Sequence, residues 1–415
     1  MGWAKERLIE LQARGYGEVP DKYVCAACFG NQGIKDFIER NAIEYFCSYC
    51  ERKTSQGGNP ISASLEDVVG LIVRSLNRLY DDPNNCLPWD SEDHCYFGTT
   101  YYIDDVLYDM GLSLTVKDQE MADQLSQDLT QHIDCDTWTP REISILSKSE
   151  AYELGWERFV KQVKHYSRFI FSLIHYKPDP YESRDVPLPS QMLSKILHMI
   201  HDTSMVRIVK KGAIFYRTRI CFEGESIKDT AHDLGAPTNE NAKFSNRMSP
   251  EGIPMFYGAF EEETAEEEIR AIKYRSGQLK KALSIKIAQF VLLRDISVVD
   301  FTRRHDYCLF DEEIDERELN MKAFLNHFVR ELSKPIEKDG REHIDYVPTQ
   351  IVTEYLKYKC VDRKDRRIKG IVYPSARRDG TSCALFIRNN HCVNIGDDTT
   401  KAYLQLTKVE TKDWK

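Results

Sequence analysis

Apolar residues recur at helical spacing between residues 61 and 175. Within the stretch SASLEDVVGLIVRSLNRLYDDP they lie three and four positions apart, which is typical of one buried helical face. That face comprises Leu65, Val68, Val69, Ile72, Val73, Leu76 and Leu79. Ser64 followed by Asp67 resembles a capping box, and Pro83 lies beyond the helix end. Further helical patterns at 103–111, 117–133, 140–153 and 155–175 predict a mostly helical region.

After residue 190 the pattern changes to short apolar runs interleaved with helical stretches. A helix is predicted at 191–202, and the runs that follow read as strands: MVRIVKKGAIFYRTRI, IPMFYGA, ALSIKIAQFVLL, ISVVDF, GIVYPSA and SCALFIR. Helical patterns separate them at 262–276, 311–332 and 348–359. This order predicts an α+β fold for the C-terminal half, with α/β as the other arrangement considered.

Four prolines within the polar stretch HYKPDPYESRDVPLPSQ mark the clearest boundary, because such a segment makes a stiff connector. The predicted organisation has five parts. They are a cysteine-bearing segment (1–60), a mostly helical domain (61–175), a linker (176–190), a mixed α+β domain (191–400) and a C-terminal tail (401–415).

Composition limits the class of protein. The chain has 415 residues, 41% hydrophobic and 30% charged, with a net charge of −9, so we expect soluble domains without general nucleic-acid binding. No apolar run approaches the roughly 18–20 residues of a membrane helix, and the charged N-terminus does not resemble a signal peptide. The sequence therefore predicts a cytoplasmic protein with no membrane contact, whose 12 cysteines are thiols or metal ligands.

Two CxxC pairs are the strongest single motif. Cys25 and Cys28 form the first pair, and Cys47 and Cys50 form the second after 18 intervening residues. Four thiolates arranged in this way fill the tetrahedral shell of Zn²⁺ and leave no position for water, so the predicted site is structural. Cys86, His94 and Cys95 have no comparable ligand spacing and are interpreted as ordinary helix-end residues.

Residues suited to a binding cleft are scattered through the C-terminal half. Arg217 lies in the strand GAIFYRTRI, with Arg219 on the same face. Arg247 precedes a turn, Tyr257 ends a strand, and an acidic helix containing Glu268 follows at once. Ser375 ends the strand GIVYPSA. Taken singly, each has an ordinary alternative role. Arg217 could form a surface salt bridge and Tyr257 could pack in the core. Glu268 could lie on a solvated helix face, and Ser375 could form a turn through its hydroxyl.

Together these motifs resemble the RES domain, over residues of about 205–395. The specific features are the eleven residues from Tyr257 to Glu268 with Ala265 three before the glutamate, the PTQ helix start, and GIVYPSAR followed by a glycine and ALF. The resemblance assigns the family's arginine to Arg217, its glutamate to Glu268 and its serine to Ser375. It also assigns Tyr257 to the position where the family has an aromatic residue at the end of a strand.

Arg247 corresponds to the arginine of the family's G-R-W-N turn. Here the turn reads Asn246-Arg247-Met248-Ser249, without the tryptophan and asparagine. The shape of that wall of the cleft is therefore expected to differ from the family pattern.

The resemblance implies an ADP-ribosyltransferase-like fold and NAD+ as substrate. Members act as bacterial toxins that break the nicotinamide–ribose bond by hydrolysis, by phosphorolysis or by transfer to a protein. Such a reaction develops positive charge on the ribose, which Glu268 would stabilise. Arg217 and Arg247 would hold the pyrophosphate, and Tyr257 would pack against nicotinamide or ribose. Ser375 would either donate a hydrogen bond to the ligand or orient Glu268.

Three alternatives stay open. Glu266 and Glu268 match the glutamate pair of arginine-specific mono-ADP-ribosyltransferases. Arg168 with His175, and Arg158 with His165, have the spacing of HEPN-type ribonucleases. The third alternative is a regulatory binding module without activity.

The N-terminal region resembles segments found ahead of HEPN and RES domains. Because unrestrained cleavage would exhaust cellular NAD+, we expect residues 1–175 to regulate the enzyme. The predicted controller is an antitoxin-like partner or a trigger protein of phage or stress origin, and self-association stays open.

Overall fold

The structure is a computed structural model that describes residues 14–55, 57–141, 147–174, 185–270, 282–303, 309–334, 340–375 and 379–414. The chain divides into two compact units. The first comprises Met1–Ser147 and Asp306–Asn320, and the second comprises Lys148–His305 and Met321–Lys415. A short segment of the C-terminal half is therefore part of the first unit.

The first unit combines helices with three small sheets. Its helices are α1 (Gln32–Arg40), α2 (Leu65–Leu76), α3 (Pro83–Cys86), α4 (Ile103–Asp109) and α5 (Gln119–Thr130). Its strands are β1 (Tyr23–Cys25), β2 (Ser62–Ser64), β3 (Tyr80–Asp81), β4 (Trp89–Asp90), β5 (Cys95–Tyr96), β6 (Tyr101–Tyr102) and β7 (Thr137–Pro140). β1 pairs with β2, β4 pairs with β5, and the third sheet has the order β3-β7-β6.

Helix α2 lies at the centre of this unit's core. Its predicted apolar face, from Leu65 to Leu76, is buried almost completely, whereas Leu79 beyond its end is half-buried. The Ser64 side chain caps the helix by accepting a hydrogen bond from the Glu66 amide at 3.2 Å, which satisfies one of the free amides of the first turn. The periodicity therefore predicted this element correctly.

The segment that joins the first unit from the C-terminal half is fixed by packing and hydrogen bonds. Phe310 is fully buried in the core around α2. The Arg78 guanidinium donates to the Asp311 carbonyl at 2.8 Å and to the Ile314 carbonyl. The sequence pattern had treated this segment as part of the catalytic domain, because a contact across more than 230 residues leaves no local signature.

The second unit is built on a nine-stranded mixed sheet with the order β15-β16-β11-β9-β10-β14-β13-β12-β8. The strands are β8 (Val206–Val209), β9 (Ile214–Phe222), β10 (Phe256–Ala259), β11 (Ala282–Leu292), β12 (Ile296–Asp300), β13 (Gly370–Pro374), β14 (Thr381–Leu385), β15 (Cys392–Val393) and β16 (Leu404–Asp413). The helices are α6 (Lys148–His165), α7 (Pro189–Asp202), α8 (Ala231–Leu234), α9 (Glu262–Arg270), α10 (Glu316–Ser333), α11 (Glu342–Asp345) and α12 (Val347–Lys359). Among the described strands of this sheet, only β12–β13 and β15–β16 are parallel pairs.

The two faces of this sheet bury different cores. Ile371, Tyr373 and Ala384 pack with the helices α6, α7, α10 and α12. Phe256 and Cys383 point to the opposite face, where they join Phe215 and Phe290. Since successive side chains of a strand alternate between faces, the paired register of β10, β13 and β14 decides which residues can reach the candidate site.

The architecture confirms the predicted mixed α+β class, while the likeness to ADP-ribosyltransferases remains a prediction. Three local expectations differ from the structure. Residues 401–415 were expected to be a tail, but Leu404–Asp413 is a strand paired along most of β11. The region 61–175 also contains the short strands β2 to β7, because loops between helices pair there. The helix of residues 148–165 is part of the second unit, whereas the predicted regulatory domain ended at 175.

Candidate functional site

A carboxylate fixed by two serine hydroxyls is the central feature of the second unit. The Ser375 hydroxyl donates to Glu268 Oε1 at 2.6 Å, and the Ser382 hydroxyl lies 3.4 Å from the same oxygen. Glu268 is in the last turn of α9, while Ser375 follows β13 and Ser382 lies in β14. Residues more than 100 positions apart are thus joined at one carboxylate, which corresponds to one of the two roles that the family resemblance gave Ser375.

The turn between β13 and β14 holds the start of α9 in place. The Thr381 amide donates to the Glu261 carboxylate at 2.8 Å, and the Thr264 hydroxyl donates to the same oxygen at 3.0 Å. A Cβ at Gly380 would lie 2.1 Å from the Thr264 hydroxyl oxygen, so only glycine allows this approach. Sequence reasoning missed Glu261, whose signal was its position just before the helix.

Tyr257 lies on the same face of the sheet as Ser382. In the pairing of β10 with β14, Tyr257 is opposite Ala384 and Ala259 is opposite Ser382; opposed residues of antiparallel strands share a face. The Tyr257 hydroxyl lies 2.9 Å from the Ser249 hydroxyl and accepts from the Met248 amide at 3.3 Å. Burial raises the pKa of Tyr257 to about 12, so its phenol stays neutral at physiological pH.

A second tyrosine, Tyr373, completes this face and was missed from the sequence. Its partner across the β13–β14 pair is Ser382. Burial raises the pKa of Tyr373 well above its ordinary value, and the nearby Tyr257 and Glu268 raise it further. Its signal in the sequence was its position two residues before Ser375, which places both on one side of the strand end.

Arg217 approaches Tyr257 from the other side of the sheet. Tyr216 is opposite Ala259, so Arg217 points away from the face of the Tyr257 ring. Its guanidinium carbon lies 5.6 Å from the centroid of the Phe256 ring, and Nη1 donates to the Tyr257 carbonyl at 2.7 Å.

The electrostatic state of Arg217 is unusual. The residue keeps partial exposure, yet its Nε is buried and has no hydrogen-bond partner among the described residues. Burial lowers the pKa of Arg217 to about 10, so it stays a cation at neutral pH. A buried guanidinium N–H without a partner is costly, and an anionic ligand is the group that would satisfy it.

Arg247 is bound to the end of a helix. Its Nη1 donates to the carbonyls of Leu332 and Lys334, at 2.5 and 2.8 Å, so it closes the C-terminus of α10. The Arg247 guanidinium is therefore bound to backbone carbonyls. Among the described residues, no contact links it to Arg217, the other arginine predicted to hold the pyrophosphate.

The turn around Arg247 is braced by the PTQ helix start. The Thr349 hydroxyl donates to the Arg247 carbonyl. Gln350 Nε2 lies within 3.2 Å of the Ser245 hydroxyl and of the Asn246 and Ser249 carbonyls. The motif had pointed to a helix start, but the bracing role of Gln350 needs the folded chain to be seen.

The other acidic and basic candidates are placed differently. The Glu266 carboxylate binds Arg270 at 2.8 Å and Lys412 at 3.0 Å. Arg158 and His165 both lie in α6, where His165 is exposed. His175 lies outside the described residues, so the Arg168–His175 pair stays a prediction.

In the first unit, the four cysteines of the CxxC pairs form one cluster. Their Sγ atoms all lie within 4.8 Å of one another, with separations of 3.8 Å for Cys25–Cys28, 3.4 Å for Cys25–Cys50 and 3.6 Å for Cys28–Cys47. Tetrahedral ligands at about 2.3 Å from Zn²⁺ are about 3.8 Å apart. The cluster therefore fits the predicted ligand set.

The second CxxC turn is tied to the core of this unit through Tyr49. The Tyr49 hydroxyl donates to the Asp128 carboxylate at 2.6 Å, and Lys22 Nζ binds the same oxygen at 2.5 Å. Asp128 is only 2% exposed. This buried, fully bonded carboxylate on α5 orients the turn that carries Cys47 and Cys50.

Comparison with known families gives two matches in succession. Residues 40–177 match the model of the HEPN/RES N-terminal domain 1, and residues 218–407 match the model of the RES domain. The second match covers Tyr257, Glu268 and Ser375, and Arg217 lies one position before it. No curated protein and no solved structure matches the chain. Among the described helices, none is long and apolar enough to cross a membrane.

Proposed function

Because the chain carries a RES domain behind a HEPN/RES N-terminal domain, we propose that it is an NAD+-consuming toxin or effector whose second unit cleaves the nicotinamide–ribose bond. The observation that carries this proposal is the Glu268 carboxylate, fixed by the Ser375 hydroxyl at 2.6 Å on the sheet face that carries Tyr257 and Tyr373.

The chemistry suits a carboxylate held in this way. Departure of nicotinamide leaves positive charge on the ribose, in a transition state like that of glycoside hydrolysis. Glu268 stabilises that charge more than it stabilises the neutral ribose of the ground state. Hydrogen bonds from Ser375 and Ser382 keep the carboxylate oriented, so little reorganisation is needed when the charge develops.

Two other groups would bind the dinucleotide. The half-buried Tyr257 ring offers a flat apolar surface for nicotinamide or ribose. Arg217 supplies a buried cation on the opposite side of the sheet from this ring, and its Nε lacks a partner among the described residues. A pyrophosphate oxygen would satisfy that Nε, so the proposal requires the dinucleotide to extend past the Tyr257 carbonyl that the Arg217 guanidinium binds. In this proposal Arg247 does not bind the pyrophosphate directly, because its guanidinium already binds the carbonyls at the end of α10.

The first unit would hold one structural zinc ion through Cys25, Cys28, Cys47 and Cys50. A closed shell of four thiolates gives the ion no catalytic position. It would stabilise a segment that is too small to form its own core.

The reaction is tested by mixing the purified chain with NAD+ and measuring free nicotinamide by chromatography. We expect release by the wild-type protein, with phosphate dependence separating phosphorolysis from hydrolysis. ADP-ribose retained on protein in a parallel assay with labelled NAD+ and cell extract would indicate transfer instead. The ion pairs of Glu266 with Arg270 and Lys412 disfavour transfer, because they occupy the carboxylate that would activate an acceptor. Absence of nicotinamide release under every condition, with intact NAD+ recovered, would contradict the proposal.

A further inference from the structure

The negative charge of this protein is concentrated in one part of the first unit. Residues 79–116 contain eight aspartates and glutamates and no lysine or arginine, a formal charge of −8, whereas the whole chain carries −9. Glu92, Asp93, Asp104, Asp105 and Asp109 form no ion pair with another described residue. This stretch therefore carries uncompensated negative charge on a chain that is otherwise nearly neutral.

The same stretch exposes large aromatic side chains. Trp89 is 53% exposed, Phe97 69%, Tyr102 68% and Tyr108 81%. Single exposed apolar residues are ordinary, but several aromatic rings within one short stretch are typical of a protein interaction surface. We call these four rings and the five unpaired carboxylates the acidic–aromatic surface.

Two groups of elements carry this surface, and strand β7 connects them because it pairs with β3 on one side and with β6 on the other. The β4–β5 hairpin is closed by a contact of the Trp89 and Tyr96 rings, whose centroids are 4.8 Å apart, and the Tyr96 hydroxyl donates to the Asn84 side chain at 2.8 Å. Strand β6 leads directly into α4, whose Val106 and Leu107 are buried. The remaining face of α4 presents Asp104, Asp105, Tyr108 and Asp109 outward.

A cavity lies at the C-terminal end of α4. Its volume is about 740 Å³, within the range of about 300–1,000 Å³ typical of ligand pockets. Asp36, Asp109 and Asp311 contribute carboxylates, and no lysine or arginine is among the described residues that line it. Asp109 therefore belongs both to the surface and to the cavity wall, so the two are continuous.

We propose that the acidic–aromatic surface binds a partner protein through a lysine- and arginine-rich segment. Aromatic faces attract guanidinium and ammonium groups, and unpaired carboxylates beside them add electrostatic attraction. The acidic cavity would receive one basic side chain of the segment. The same charges repel nucleic acid phosphates and the anionic surface of a membrane. This assignment does not depend on the reaction of the second unit.

The probe is a fluorescently labelled peptide of alternating arginine and serine, added to the full chain and followed by anisotropy. We expect saturable binding that weakens as salt is raised, because exposed charges are screened. Trp89→Ala and Tyr108→Ala should each weaken binding about fivefold at unchanged net charge. Asp104→Asn combined with Asp105→Asn should weaken it at least about tenfold.

Charge-matched variants distinguish binding at the acidic–aromatic surface from attraction by the net charge of the protein. Glu39→Gln combined with Glu120→Gln removes two exposed carboxylates of the first unit outside the stretch and should leave binding unchanged. Equal loss in this control and in the α4 variant would show that only net charge matters and would overturn the proposal. Unchanged binding by Tyr108→Ala and Trp89→Ala would also overturn it, as would tighter binding of a labelled single-stranded RNA than of the peptide. Circular dichroism of each variant checks that the fold is kept.

Discussion

Ser375 donates a hydrogen bond of 2.6 Å to Glu268 and thereby joins the end of a central strand to the end of the acidic helix. The two side chains are 107 positions apart in sequence. Their contact fixes the Glu268 carboxylate on the sheet face that carries Tyr257 and Tyr373, which is the arrangement on which the proposed cleavage depends.

If Ser375 positions Glu268, then Ser375→Ala should lower kcat for nicotinamide release by about tenfold and change KM little. The reason is that a neutral hydrogen bond to a charged group contributes about 1.5–3 kcal/mol, here used to orient the carboxylate in the transition state. Ser375→Thr keeps the hydroxyl and should retain most of the rate. Steady-state kinetics of the two variants provide the measurement. An equal loss of kcat in Ser375→Thr, or an effect confined to KM, would contradict a positioning role for Ser375.

Arg217 gives a prediction that separates ligand binding from stability. Arg217→Met removes a buried cation together with its unpaired Nε, and it also removes one hydrogen bond to the Tyr257 carbonyl. These effects oppose each other, so the free energy of unfolding should stay within about 1 kcal/mol of the wild-type value. Affinity for NAD+, measured by calorimetry at low temperature, should fall at least about tenfold.

Arg219→Met is the matched control, because Arg219 lies on the same strand face but is exposed. It should bind NAD+ as the wild type does. Full affinity in Arg217→Met would show that this arginine has only a structural role.

Metal analysis tests the cysteine cluster. The protein should contain about one zinc ion per chain, and a variant with Cys25→Ser and Cys28→Ser should contain none. The exposed Cys86 and Cys95 provide the control, because their replacement by serine should leave the zinc content unchanged. Zinc-free wild-type protein purified without chelators would rule the site out.

Asp128 should make the first unit sensitive to acid. Burial raises the pKa of its carboxyl, but hydrogen bonds from Lys22, Tyr49 and Gln124 outweigh burial and lower it overall. A lowered folded-state pKa means that the stabilisation is present above the ordinary aspartate value of about 4 and is lost as pH falls through the lower folded value.

Asp128→Asn should therefore lower the free energy of unfolding by about 1–3 kcal/mol at pH 7. Its stability should also decline less steeply than that of the wild type as the pH falls below about 4. Asp123→Asn, on the exposed side of the same helix, should leave both quantities nearly unchanged. Chemical denaturation across this pH range provides the measurement, and parallel acid profiles of wild type and Asp128→Asn would contradict it.

The sequence predicted those elements that have a regular spacing of apolar residues or ligands and that depend on neighbours close by in the sequence. The α2 face and the two CxxC turns needed nothing beyond spacing, and the Glu268–Ser375 contact came through the family resemblance. The side of the sheet on which Arg217 lies could not be predicted, because one step in the register of Tyr216 against Ala259 would move it to the other face.

Strand β16 escaped prediction for a related reason. Its residues Leu404–Asp413 alternate only partly and carry several charged side chains, so a strand is recognisable only when β11 is seen beside it. Tyr373, Glu261 and Gln350 were missed because their roles consist of contacts with distant residues. The spacing of apolar residues shows which face of an element is buried, but it does not show which distant residues that face contacts.

If the Glu268 carboxylate stabilises the charge that develops on the ribose of NAD+, its removal should slow nicotinamide release far more than removal of a neighbouring carboxylate. Nicotinamide release is compared for Glu268→Gln and Glu263→Gln, which remove the same charge from the same helix, Glu263 being exposed. We expect a fall of at least about 100-fold for Glu268→Gln and a rate near the wild-type value for Glu263→Gln. Wild-type rates in both variants would show that Glu268 does not stabilise the transition state.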